Sequence, residues 1–87
     1  GQEKDEQLFE SLLGGLQELV GAPSELVSAI EILIMLRMLR ILGYVSEVED
    51  SVCVPYGLYN EHVLHRITQS KQVFVAHINK GLRESQL

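Results

Sequence analysis

The sequence predicts an all-α fold, a compact bundle of three to four helices around a buried central helix. The main observation is the run from Leu26 to Leu42, in which only Ser28, Glu31, Arg37 and Arg40 interrupt the apolar residues. At roughly 100° per residue, the first two polar residues lie on one side of this helix and the two arginines nearly opposite. A helix on a surface keeps one wet side throughout. We therefore expect different neighbours to cover the two ends of this helix, so that it is central.

The length and composition of the chain are consistent with a single small globular domain. The chain has 87 residues, which suits one modest domain. Its hydrophobic content of 46% and charged content of 22% are ordinary for a globular protein. The central run is too short and too interrupted to be a membrane anchor, and no signal-peptide pattern follows Gly1. The single cysteine fits a reducing compartment, so a cytoplasmic protein is expected.

The first helix is predicted over residues 5–20, where apolar residues recur at helical spacing. Gly14 and Gly15 stand in its middle and mark either a weak point or a close approach of another backbone. Gly21 can end this helix in a left-handed conformation. The apolar residues of the segment are Leu8, Phe9, Leu12, Leu13, Leu16, Leu19 and Val20.

The second helix is predicted over residues 24–42, antiparallel to the first because their connection is short. Pro23 suits a first turn, and the Ser24 hydroxyl can accept a bond from a terminal N–H group. Gly43 ends the helix, and a connector is expected over residues 44–58, since Pro55 and Gly57 break any helical period.

The last helix is predicted over residues 60–84, with Asn60 as its cap. Its apolar residues share an arc of roughly 120°, which favours one continuous helix. Ser70 and Lys71 would lie inside that arc. The alternative is a helix that breaks and restarts with Ser70 as a cap.

Charge disfavours direct nucleic-acid binding by this chain. The formal net charge is −5, and the basic residues are few and dispersed. A duplex-binding surface needs clustered lysines and arginines to displace counterions. Residues 1–21 carry −4 and residues 44–60 carry −3, whereas residues 61–87 carry +2.

No catalytic residue, cofactor site or metal site is predicted. His62 and His65 have a spacing that metal sites use, but His77 and Cys53 do not converge on them by any visible pattern. We interpret these histidines as solvated or hydrogen-bonded. The sequence contains no glycine-rich phosphate loop and no paired-carboxylate motif. A non-enzymatic protein is expected.

The candidate binding residues are basic. Arg37 and Arg40 must pair with a carboxylate or reach the edge of the core. Internal partners are Glu47, Glu49, Asp50 or a glutamate of the first helix. The alternative is that the two arginines flank an apolar groove and hold an acidic peptide, because guanidinium groups bind carboxylates bidentately. Lys80 and Arg83 are weaker candidates for the same role.

The order of motifs resembles the C-terminal helical domain of the bacterial recombination mediator RecO. The matching segments are LFESLLGGLQEL near the start, LRMLRILGY at the end of the central helix, and INKGLRESQL at the end of the chain. Many family members carry a zinc-binding cysteine cluster after the Leu-Gly-Tyr element. Here only Cys53 stands there, which suggests a zinc-less variant. The oligonucleotide-binding barrel of full-length members is missing, which suggests an excised C-terminal domain.

The resemblance implies a role in DNA repair and recombination through protein contacts. In that family the full protein helps load a recombinase on single-stranded DNA and works with a partner, RecR. The helical domain is associated with docking the acidic C-terminal tail of the single-strand-binding protein. That tail ends in an apolar residue and a free carboxylate, for which Arg37, Arg40, Lys80 and Arg83 are the candidate receptors. The competing hypothesis is an unrelated helical interaction or dimerisation module, although a monomer is favoured.

Overall fold

The computed structural model describes residues 2–44 and 59–85. Within these ranges the chain forms four helices and no strand, so the all-α prediction is confirmed. The predicted connector, apart from Tyr44, lies outside the described residues. The helices are α1 (Gln2–Val20), α2 (Ser24–Leu42), α3 (Glu61–Gln69) and α4 (Lys71–Ser85).

Helix α2 is the centre of the fold, as its apolar run predicts. Leu33 and Leu36 are fully buried, and α1, α3 and α4 all pack against α2. The outer helices contact one another far less. Ile67 on α3 and Phe74 on α4 complete the core from the opposite side. Each outer helix is therefore held mainly by its apolar contacts with α2.

The ends of α2 are set by backbone groups. Gly43 is left-handed at φ 88°; its N–H donates to Arg40 O, and the N–H of Tyr44 donates to Leu39 O at 2.9 Å. This is a Schellman motif, so Gly43 ends the helix as predicted. At the other end Pro23 is the cap residue and no side chain caps the helix. The Ser24 hydroxyl therefore does not make the predicted capping bond, because Ser24 is already the first helical residue.

The connection between α1 and α2 also differs from the prediction. Among the described residues Gly43 is the only one with positive φ, so Gly21 does not adopt the left-handed conformation. The α1 helix ends instead in a tighter turn, in which the N–H of Ala22 donates to Leu19 O. The short connection still brings α2 back along α1.

The prediction of one continuous helix over residues 60–84 is wrong, because the helix is interrupted at Ser70. Asn60 caps α3 as predicted, its Oδ1 accepting from the N–H of Val63 at 2.9 Å. Ser70 leaves the helical conformation at φ −130°, and its carbonyl accepts from Val73 and Phe74 to start α4. A straight helix would press the polar Ser70 into the core, where an unpaired hydroxyl is unfavourable. The break keeps Ser70 exposed while the apolar residues on either side remain buried.

Helix α1 lies on α2 through its small residues. Its buried positions are Ser11 and Gly15, one helical turn apart. A Cβ atom added at Gly15 would lie 2.6 Å from Ile34 Cδ1 and 2.9 Å from Tyr59 Oη. Gly14 meets nothing within 4 Å. Of the two readings of this glycine pair, Gly15 is therefore a close-approach site, and α1 continues through both residues without a break.

Alanine at the two adjacent glycines is expected to have opposite effects. Gly14→Ala should raise the free energy of unfolding by up to about 1 kcal/mol, through helix propensity alone. Gly15→Ala should lower it by about 1–3 kcal/mol, because the new methyl group overlaps Ile34. Urea unfolding followed by circular dichroism measures both. Equal stabilisation by the two substitutions would contradict the close approach at Gly15.

Candidate protein-docking surfaces

Arg37 is covered by an aromatic ring rather than exposed at a groove. Its side chain is 4% exposed, and its guanidinium carbon lies 4.2 Å from the centre of the Tyr59 ring. This geometry is a cation–π contact, which is strongest away from water. The structure therefore removes Arg37 from the surface available to a peptide. Three of its candidate internal partners, Glu47, Glu49 and Asp50, lie outside the described residues.

The surroundings of Tyr59 are apolar on one side and acidic on the other. Its ring packs against the core, and its hydroxyl reaches the α1 backbone at Gly15. Burial raises the pKa of the Tyr59 phenol above its ordinary value of 10.0, and the positive charge of Arg37 opposes this rise. Neither Tyr59 Oη nor Arg37 Nε has a hydrogen-bond partner among the described residues. The pair thus joins α1, α2 and the residue before the α3 cap, with Arg37 buried and Tyr59 partly exposed.

An open cleft of about 230 Å³ lies beside Tyr59. Glu18 and Glu61 line it together with apolar residues from the beginning of α2. Two carboxylates at one cleft oppose an anionic ligand, so the acidic tail implied by the RecO resemblance does not suit this site.

The remaining basic candidates lie on two other helices. Arg40 is half-buried in the last turn of α2, while Lys80 and Arg83 are exposed on α4. Helix α4 also exposes three large apolar side chains; Val73 is 56% exposed, Val75 41% and Leu82 38%. Val75 and Leu82 are two turns apart on one side of α4, with Lys71 one turn before Val75. At roughly 100° per residue, Val73 and Lys80 lie on the other side of the helix, with Arg83 between the two groups. We call this solvent-facing half of the helix the α4 basic face, defined by Lys71, Val73, Val75, Lys80, Leu82 and Arg83.

A second apolar surface lies on α1 and was not predicted to be exposed. Because α1 packs through Ser11 and Gly15, most of its bulky residues point away from α2, although Leu19 still packs against the core. Phe9 is 66% exposed and Val20 90%. We call this surface the α1 apolar stripe, defined by Phe9, Leu12, Leu13, Leu16 and Val20.

The histidines remain apart from any metal-ligand cluster in the described residues. His62 and His65 are exposed on α3, and His77 is half-buried on α4. Within residues 2–44 and 59–85, no three His, Cys, Asp or Glu side chains are placed to hold one metal ion. Cys53 lies outside these ranges. None of the described helices has the length and apolarity that crossing a membrane requires.

Comparison with known proteins does not place the chain in a family. No family model matches it, and neither the curated proteins nor the solved structures contain a match. The surfaces described above and the resemblance in the sequence are therefore the basis on which a function can be proposed.

The outward orientation of α1 and the contact between Arg37 and Tyr59 were not predicted from the sequence. The sequence does contain a feature that favours the orientation of α1. Ser11 and Gly15 are small residues four positions apart, so they lie on one side of the helix and allow another helix to approach closely. No comparable feature of the sequence predicts the contact of Tyr59 with Arg37. Tyr59 is 22 positions from Arg37 in the sequence, across the connector, and only the folded chain brings the two together.

The Arg37–Tyr59 contact is expected to contribute measurably to stability. A double-mutant cycle with Arg37→Met and Tyr59→Leu should give a coupling energy of about 1–2 kcal/mol, because the substitutions remove the cation and the ring separately. Urea unfolding of the four proteins provides the measurement. A coupling energy near zero would show that the ring covers Arg37 without attracting it.

Stability should fall at high pH because partial burial of Tyr59 raises the pKa of its phenol. A raised pKa means that the folded protein holds the phenolic proton more tightly than the unfolded chain. The resulting stabilisation is complete below the unfolded pKa of 10.0 and is lost as pH rises through the folded value. Tyr59→Phe should reduce this loss while leaving Tyr44 and Tyr56 as internal controls. An identical decline in stability for both proteins above pH 10 would refute the assignment to Tyr59.

Proposed function

We propose that this chain is a non-catalytic docking domain of a RecO-like recombination mediator, and that its α4 basic face binds the acidic C-terminal tail of a single-strand-binding protein. The observation that supports the proposal is the combination on α4 of exposed apolar side chains with lysine and arginine. A tail that ends in an apolar residue and a free carboxylate needs both. The link to DNA repair, to recombinase loading and to a RecR-like partner rests on the sequence resemblance.

The charge distribution supports α4 over the other surfaces. Residues 71–85 carry three basic side chains against Glu84, whereas α1 carries five acidic residues against Lys4. An acidic tail is therefore attracted to α4 and repelled by α1. Within the proposed site Lys80 and Arg83 are the principal cations. Arg40 is a secondary candidate, and Arg37 is left out because Tyr59 covers it.

The direct test is a titration with a short tail peptide. The probe is a fluorescent peptide rich in aspartate that ends in phenylalanine with a free carboxylate, and anisotropy gives its Kd at near-physiological salt. Lys80→Ala and Arg83→Ala should each weaken binding by roughly 1–3 kcal/mol, as for hydrogen bonds to charged groups. The matched control is Arg66→Ala, which removes the same charge from α3.

Two further measurements make this test decisive. The same peptide with an amidated C-terminus should bind more weakly, because the terminal carboxylate is part of the ligand. Leu82→Asp should also weaken binding, since it places a negative charge on the α4 basic face. If the free-acid peptide does not bind, or if the amide binds equally well, the docking proposal fails.

A further inference from the structure

The α1 apolar stripe has the spacing of a helix-packing surface. Its residues follow one another by three or four positions from Phe9 to Val20. At roughly 100° per residue they share an arc of about 100°. At about 1.5 Å per residue the stripe is about 16 Å long, or three helical turns. This periodicity matches the ridges that one helix presents to another.

The exposure of the stripe follows from how α1 is held on α2. Gly15 fits against Ile34 with no room for a Cβ atom. Turning α1 to bury its leucines would bring a large side chain to the place that Gly15 occupies. Leu13 and Leu16, 46% and 48% exposed, therefore remain outside the core of this chain.

Acidic residues follow the stripe along one edge. Glu6 and Glu10 lie beside it one turn apart, and Asp5 stands near its N-terminal end. All three side chains are exposed. Lys4 is the only basic residue of α1. A partner that covers this surface must therefore bring positive charge to meet the acidic edge.

We propose that the α1 apolar stripe docks an amphipathic helix of a partner protein, with apolar side chains at three- and four-residue spacing and lysine or arginine along one flank. The occupant is a helix because the stripe is a convex ridge with helical period. The basic flank is required by Glu6 and Glu10. This site is separate from the α4 basic face, and its charge is opposite. It goes beyond the proposed function and does not depend on it.

The charges on α1 argue against two other occupants. A second copy that used the same helix would bring another acidic α1, which carries a net charge of −4. An anionic lipid surface would be repelled for the same reason. A basic helix, by contrast, is attracted to these acidic side chains and can form charge pairs with them.

The experiment uses a labelled helical peptide of about 18 residues, long enough to cover the stripe. It carries leucine at three- and four-residue spacing and lysine or arginine on the flanks. The first control peptide replaces every basic residue with glutamate, and the second scrambles the basic sequence at constant composition. Anisotropy should show that the basic peptide binds at least about tenfold more tightly than either control.

Variants of the chain locate the site. Leu13→Asp with Leu16→Asp should weaken binding of the basic peptide at least about tenfold. Glu6→Lys with Glu10→Lys should reverse the preference, so that the acidic peptide now binds more tightly. Gln72→Asp, at an exposed position of α4 that belongs to neither named surface, should leave binding unchanged. Because all these positions are exposed, circular dichroism should show that each variant keeps its helical content.

Several results would overturn the proposal. Equal binding of the basic and scrambled peptides would mean that net charge alone attracts them. Insensitivity to the Glu6 and Glu10 reversal would remove the charge argument. Sedimentation showing a dimer that Leu13→Asp dissociates would assign the stripe to a second copy, and co-sedimentation with anionic vesicles would assign it to a membrane. None of these results affects the tail-peptide test on α4.

Discussion

The close contact between Gly15 of α1 and Ile34 of α2 determines which surfaces this protein presents. Without a side chain at Gly15, the α1 backbone approaches the core closely, and Tyr59 Oη reaches the same place. The contact uses the small side of α1, so Leu12, Leu13 and Leu16 point outward while Leu19 packs against the core. Most small domains bury such leucines because apolar surface removed from water is the largest favourable term in folding. Here the core is supplied mainly by α2, and α1 leaves Phe9, Leu13, Leu16 and Val20 exposed.

The two exposed apolar surfaces differ in charge. The α1 apolar stripe is bordered by Glu6 and Glu10, whereas the α4 basic face carries Lys80 and Arg83. Both helices are held on α2, with little contact between the outer helices. The two proposed docking sites therefore lie on separate helices and call for partners of opposite charge. Arg37 has a different role, since its guanidinium lies under Tyr59 and belongs to the interior.

The sequence predicts where the helices of this fold lie along the chain better than it predicts which side of each helix is buried. The apolar run of α2 is so complete that burial is the only reasonable outcome. The caps are equally local: Gly43 acts through its left-handed backbone, and Asn60 acts through its side-chain oxygen three residues from the bonded N–H group. The break at Ser70 depends on whether a polar residue inside an apolar arc is buried or avoided, which local pattern does not decide. The orientation of α1 depends on a competition between leucines and the close approach that Gly15 allows. Hydrophobic periodicity finds the leucines, but only packing shows that the small side is buried.

Thiol labelling measures the orientation of α1 most directly. With Cys53→Ser as background, Leu16→Cys and Ser11→Cys place single thiols on the stripe and on the side of α1 that faces α2. The exposures of 48% at Leu16 and 8% at Ser11 predict that the first thiol reacts with a maleimide at nearly the rate of a free thiol, whereas the second is strongly protected until urea is added. Protection at position 16 with rapid reaction at position 11 would show that α1 packs through its leucines, and would contradict this account.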